Sequence, residues 1–577
     1  MLSNEESDPT SARELAGWYS YSWAAEPFMV SVVGTYVPIL LEQFARYNGV
    51  LLADHLTPCM STSSHNITDD PTSPLPFPGD NDTNEAVKCV VKVFGSYIDT
   101  SSFALYTFSI SVLIQTLVVI SMSGAADRGN FKKRLLIAFS IMGSLSTCCF
   151  VFVKPSRFLI ASLLAIISNS TFGAVSVCGN SFLPVLVDNH PAVIEEKQKL
   201  ESLLEQDQSS EEVPVILHHY NSLMLVSNKV SSKISGFGIA VGYLSAFIVQ
   251  IGTVLVIFKM RSSLFSIQVS IALVGLWWLI FQIPVIILLK SRPGPVLPAN
   301  LHSENRTRTY RLLMLITNGG WAYICFGWRT IYSTFRDAKR MKDVVLFLIT
   351  WFIISDAATT INSAAVLFAR TQLDMDPISL AIIGLLVVVN GILGAILIPR
   401  IFDIKKRYPA PIPETTSLLP ESDALSSSFP DSSFSETSPA TAMSFVILIM
   451  AVIPLYGIVG FFTSAIGLTR PWEMYMLAVW YGFALGGLNT LARSTYSILI
   501  PKGRESIFFS LFSITDKGSS ILGPMVIGLI IDKTHNIRYS FYFFLVLLML
   551  AFVVMKMVDF ERGASDAKES EMANLSD

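Results

Sequence analysis

Residues 264–289 read LFSIQVSIALVGLWWLIFQIPVIILL, without a single charge. About 20 mostly apolar residues suffice for a helix to cross a bilayer. Lipid offers no partner to backbone N–H and C=O groups, so such a stretch must close its own hydrogen bonds as a helix. The same reading applies to 17–42, 101–123, 135–153, 158–187, 224–258, 344–369, 377–399, 443–463, 473–492, 507–531 and 540–558. Of the 577 residues, 51% are hydrophobic and 15% charged, with a mean hydropathy of +0.53. The chain is therefore expected to be an all-α polytopic membrane protein of twelve spanning helices. No loop is long enough for a sizeable soluble domain.

A net charge of −3 leaves no basic surplus for nucleic acid. Lys and Arg mark the cytosolic loops of membrane proteins. They crowd the loop after the second span (Arg128, Lys132, Lys133, Arg134), the loop after the eighth (Arg400, Lys405, Lys406, Arg407) and the segment 290–343 (Arg306, Arg308, Arg311, Arg329, Arg336, Lys339, Arg340). All three are cytosolic when both termini are. The expected order is a cytosolic tail 1–16, a six-helix half 17–289, a cytosolic linker 290–343, a second six-helix half 344–558 and a cytosolic tail 559–577. The acidic stretch 1–16 lacks the basic region and cleavage site of a secretory signal, so the first span is expected to act as an uncleaved one.

The loop 43–100 then lies on the opposite side. It carries two sequons, Asn66-Ile67-Thr68 and Asn81-Asp82-Thr83, and both Cys59 and Cys89. Glycosylation at Asn66 and Asn81 and a Cys59–Cys89 disulfide suit an oxidising compartment; chance sequons and two unpaired thiols are the alternatives. Residues 409–441 are rich in Ser, Pro and Thr and are expected to be a disordered cytosolic loop. Within it, Glu414, Leu418 and Leu419 form an acidic-dileucine pattern that a sorting adaptor could read, unless it arises by chance. The acidic insert 188–221 reads as a solvated loop. Aromatic and basic residues interleave over 321–343, as in an amphipathic helix lying in the membrane interface. No Cys/His cluster points to a metal, and no hydrolase, metalloprotease or nucleotide-binding motif is present. Neither an enzyme, nor a cofactor, nor a nucleotide-driven pump is expected.

The chain also repeats itself weakly. Lys229-Val230-Ser231-Ser232 in the fifth span has a counterpart in Lys517-Gly518-Ser519-Ser520 of the eleventh, each followed by closely spaced glycines. Glu26 and Asp356 are lone acids about half-way into the first and seventh spans. Six spans plus six in parallel repeat is the major facilitator arrangement.

Several stretches carry a resemblance to a known family: Arg13-Glu14-Leu15, Gly17-Trp18-Tyr19, Glu26-Pro27-Phe28, Ser121–Asp127, Trp328-Arg329-Thr330, Ser355-Asp356 and Ile514-Thr515-Asp516-Lys517-Gly518-Ser519-Ser520. Together they resemble the fungal autophagy-related vacuolar amino-acid effluxer family, a branch of the major facilitator superfamily. The likeness runs nearly end to end, apart from 188–221 and 409–441. The superfamily's loop signature Gly-x-x-x-Asp-Arg-x-Gly-Arg is degraded, with Ser123, Asn130 and Phe131 in place of two glycines and an arginine. The resemblance implies a vacuole-membrane transporter that exports amino acids such as leucine after autophagic breakdown.

Ionisable groups inside a span face a partner or a water-filled path. Glu26, Lys229, Asp356, Arg493, Asp516 and Lys517 balance three acids against three bases. That balance suits a zwitterionic amino acid, and equally suits pairs that lock helices together. Arg493 is the expected carboxylate anchor, Glu26 and Asp356 the expected sites for an ammonium or a proton, and Trp23, Tyr21, Trp351 and Asn180 their neighbours. Pro27 withholds a backbone donor and is expected to leave a carbonyl open near Glu26. A non-transporting scaffold recruiting partners through its loops, or a factor in breaking down autophagic membranes, are the rival classes. The buried charges favour the transporter.

Overall fold

The computed structural model describes residues 8–59, 89–127, 131–206, 213–260, 263–292, 320–338, 341–401, 439–463, 465–500, 505–563 and 565–567. The sequons at Asn66 and Asn81, the pattern at Glu414, Leu418 and Leu419, and nearly all of 409–441 lie outside them.

Before the linker the helices are α1 (Ala12–Pro27), α2 (Val37–Tyr47), α3 (Thr100–Asp127), α4 (Lys132–Cys148), α5 (Phe158–Asp188), α6 (Pro191–Gln206), α7 (Val213–Lys259) and α8 (Leu264–Leu288). In the linker lies α9 (Gly320–Ala338). After it come α10 (Lys342–Thr371), α11 (Pro377–Ile401), α12 (Pro439–Val459), α13 (Pro471–Leu499), α14 (Glu505–Ser519), α15 (Leu522–Thr534) and α16 (Ser540–Lys556). Among the described residues, ten helical stretches are long and apolar enough to cross a membrane. The other two expected spans differ for physical reasons. The span at 473–492 falls in the 29-residue α13, whose apolar residues are diluted by Gly482, Gly486, Gly487 and Asn489. The span at 507–531 is split into α14 and α15 around Ser520-Ile521.

Three departures from the sequence reading concern the polar segments. The insert 188–221 is largely helical: α6 buries Val193 and pairs Lys199 with Glu195 and Glu196 at 2.9 and 3.0 Å. The fifth span belongs to the 47-residue α7, roughly 70 Å long at 1.5 Å per residue, far more than a bilayer core requires. Outside the helices, β1 (Val50–Leu51), β2 (Cys89–Val93) and β3 (Ser96–Asp99) form an antiparallel sheet in the order β1-β2-β3, so the chain is not wholly helical. Phe94 and Gly95, both with positive φ, make the two-residue turn that hairpin twist favours. A disulfide joins Cys59 to Cys89. The membrane end carrying this sheet is called the sheet side below.

Outside the linker the helices pack through one continuous apolar core, while α9 gathers Tyr323 and Phe326 around Ala322. Small residues let backbones approach, which is how membrane helices gain contact when lipid is as apolar as Leu. A Cβ built on Gly486 of α13 would lie 1.9 Å from the carbonyl oxygen of Gly391 on α11. The linker helix α9 lies along the end of α3, where the Trp328 indole donates to the Ser121 hydroxyl at 3.3 Å.

Candidate functional site

Pro27 has no N–H, so the carbonyl of Trp23 loses its helical donor. That carbonyl, expected to be open to an ammonium, instead accepts the indole N–H of Trp277 on α8 at 3.1 Å. Trp277 and Phe281 also pack on the Trp23 ring, with centroids 5.7 and 5.9 Å away. The chain then widens into a π-helix over Phe28–Tyr36, where the Thr35 hydroxyl donates to the Val30 carbonyl five residues back. Such wide turns recur at functional sites.

Glu26 is half-buried where α1 crosses α7. A Cβ on Gly242 would sit 3.2 Å from Glu26 Cβ and Cγ, and one on Gly238 would sit 2.5 Å from the Trp18 ring. The Trp18 indole donates to the Gly179 carbonyl of α5 at 2.8 Å, and the Tyr21 ring covers Gly179. These contacts fix the height of Glu26 against α7. Tyr243 follows Gly242 on α7. Arg493 of α13 is exposed. Asn180 is exposed on α5. The side chains of Lys229 and Lys517 lie outside the described residues.

The second acid has a different setting. Between α14 and α15 the helical path breaks half-way across, and α10 stitches the break. The Gly523 N–H donates to Asp356 Oδ1 at 2.9 Å. The Ser355 hydroxyl donates to Asp516 Oδ1 at 2.8 Å, and the Ser520 hydroxyl donates to Thr359 Oγ1 at 3.0 Å. A new helix start presents N–H groups without intrahelical acceptors and a positive dipole end. The Asp356 carboxylate, 4% exposed, answers both. Expected as an open acid, it already holds the first turn of α15. Asp516 has its partner on α10. Trp351 stacks on Phe512 with ring centroids 4.9 Å apart.

Among the described residues, two bidentate ion pairs that the sequence reading did not name tie helix starts to residues past helix ends. Arg292, just past α8, donates from Nε and Nη2 to the two Glu14 carboxylate oxygens at 2.7 Å each. Arg562, just past α16, grips Asp343 in the same way at 2.7 Å. Each acid sits in the first turn of the first helix of its series, and each arginine follows the last. The repeat could have revealed them, because the acids sit at matching places and so do the arginines. Glu14 holds the Arg292 guanidinium above its ordinary range.

The arrangement has solved counterparts. The structure matches a POT family transporter crystallised with 5-aminolevulinic acid at a TM-score of 0.52, covering 96% of this chain and 97% of that one at 13% identity. It matches a D-xylose–proton symporter at 0.53, covering 96% and 98% at 12% identity. At such identities the likeness shows the fold alone, that of a major facilitator type transporter. Residues 10–568 match the family model described as "Vacuole effluxer Atg22 like". The chain belongs to that family. Autophagy-related protein 22 of Yarrowia lipolytica is 45% identical, the alignment covering 97% of this chain and 98% of the relative. Its namesake from Saccharomyces cerevisiae is 40% identical, covering 96% and 93%. As a member of the vacuole effluxer family, the protein is a multi-pass secondary transporter of the vacuole membrane and not an enzyme.

Proposed function

We propose that this effluxer carries amino acids such as leucine from the vacuole lumen to the cytosol, driven by protons moving with them. The observation that carries the reading is Glu26, a half-buried acid held against Gly242 where α1 crosses α7, with Arg493 of α13 as the carboxylate anchor. A zwitterion needs a carboxylate for its ammonium and a cation for its carboxylate, and helices that part and close can present both. Lys229, Asp356, Asp516, Lys517, Asn180 and Trp23 are the further candidates around this path. The protein would span the membrane twelve times in two six-helix halves, with both termini, 290–343 and 409–441 in the cytosol. The sheet side would face the lumen, with glycans on Asn66 and Asn81, and Glu414, Leu418 and Leu419 would engage a sorting adaptor.

Proteoliposomes loaded with a panel of amino acids under an imposed pH gradient test the transport reading. Glu26→Gln should abolish flux while leaving the protein abundant, and full flux from that variant would remove the site. Protease added to sealed vacuoles should cut within 409–441 and spare 43–100; the reverse pattern would invert the topology.

A further inference from the structure

The two helix series meet tightly at one end of the membrane. Asp532, in the last turn of α15, uses both carboxylate oxygens across that boundary. Its Oδ1 accepts the backbone N–H of Asp99 at 2.8 Å, and its Oδ2 accepts the Tyr106 hydroxyl at 2.6 Å. One turn deeper, the Ser102 hydroxyl donates to the Gly528 carbonyl at 2.9 Å. Deeper still, the Ser109 hydroxyl donates to the Ile521 carbonyl at 2.6 Å. Ser102, Tyr106 and Ser109 share one face of α3 by their spacing of four and three residues. A Cβ on Gly528 would lie 2.4 Å from the Tyr106 ring, whereas one on Gly518 of α14 would meet only Thr116 at 3.8 Å. The α3 face is thus pressed against α15 and stands off from α14 at Gly518.

We propose that Asp532 is the latch of the sheet-side gate, a positioning residue that holds α15 on α3 through Tyr106 and the Asp99 backbone and must let go before cargo can enter from that side. The consequence for cargo rests on the transport reading, but the latch itself is a claim about which bonds hold the gate. Ser102 and Ser109 donate to backbone carbonyls and serve as ordinary seam contacts. Asp532 differs because one side chain ties two separate elements, β3 and α3, to α15. Because α15 is also held at its other end by Asp356, releasing Asp532 frees the outer end while leaving the inner end anchored. The gate then opens by tilting α15 about its first turn.

The test needs no cargo. Ser109→Cys, at a position 4% exposed beneath the latch, is introduced into the full chain with Cys148, Cys149 and Cys325 replaced by Ser. Buried native Cys178 is kept as the internal control. Purified protein is treated with a charged thiol reagent, and modification at each position is followed by mass spectrometry. Asp532→Ala and Tyr106→Phe should each speed modification at position 109, by about tenfold for the loss of a hydrogen bond to a charged acceptor. The double variant should be no faster than Asp532→Ala. Asp532→Asn keeps one acceptor for the Asp99 N–H and a donor for the Tyr106 oxygen, so it should stay near the unmodified rate. Rates that do not change with Asp532→Ala, or that multiply in the double variant, would overturn the latch. So would equal acceleration at Cys178, which would mean general loosening.

Discussion

Replacing Asp356 with Ala should destabilise the protein, and the structure says by how much. The substitution removes the acceptor of the Gly523 N–H in a place water does not reach. An unsatisfied buried donor costs about 1–3 kcal/mol. It also removes a carboxylate from the N-terminal end of α15, where a negative charge contributes up to about 2 kcal/mol. The two contributions together come to about 1–5 kcal/mol. Asp356→Asn keeps an oxygen for Gly523 and forfeits only the charge, so it should lose less. Thermal unfolding of the purified chain, followed by intrinsic fluorescence, ranks the three proteins as wild type, Asn, Ala. Glu26→Gln in the same assay should melt with wild type while losing flux. If Asp356→Ala melts with wild type, the carboxylate does not hold the broken helix and the argument from the helix start fails.

Arg292→Ala strands the fully buried Glu14 and should cost about 2 kcal/mol, less than a deeply buried pair because the site lies near the membrane edge; Arg562→Ala should act in the same direction, and unchanged melting in both would show that neither pair matters. Burial, with Glu42 and Asp532 nearby, pushes the Asp99 carboxyl up from 3.8 to about 6. The folded chain therefore holds this proton more tightly than the unfolded one, so stability should fall as pH rises from about 4 to about 6 and level off above. Asp99→Asn should flatten that window in melting curves taken across it, and an identical pH dependence would remove Asp99 as its source. Cys59→Ser opens a loop of sequence separation 30 worth about 3–4 kcal/mol on the chain-entropy model. Limited proteolysis should then cut near Val50–Leu51 sooner than in wild type, and equal cleavage would deny the bridge that role.

The helices were legible because a run such as 264–289 has one solution in lipid. The linker helix was legible from its interleaved aromatic and basic residues, and the pairing of Cys59 with Cys89 from their shared loop. The fate of individual polar groups was not. Pro27 announces an orphan carbonyl, but only the folded chain shows that Trp277, some 250 positions away (|i−j| = 254), reaches it. Glu26 and Asp356 look equivalent in sequence because each is a lone acid in a span. What separates them is the break at Ser520-Ile521, on a different helix, which no periodicity marks. The acidic run at 195–212 reads as solvated loop because its charges dominate its composition, and the apolar contact of Val193 that favours a helix depends on tertiary neighbours.

The paired arginines have a mechanical consequence. Glu14 with Arg292 and Asp343 with Arg562 each tie the opening helix of a series to the residues just past its closing helix. Each series is thereby a hoop fastened to itself by residues outside the covalent strand between Arg292 and Lys342. What such a pair fastens lies within one series and does not depend on the other. Two separately synthesised polypeptides, divided in that strand, would inherit complete fastenings on both sides of the cut.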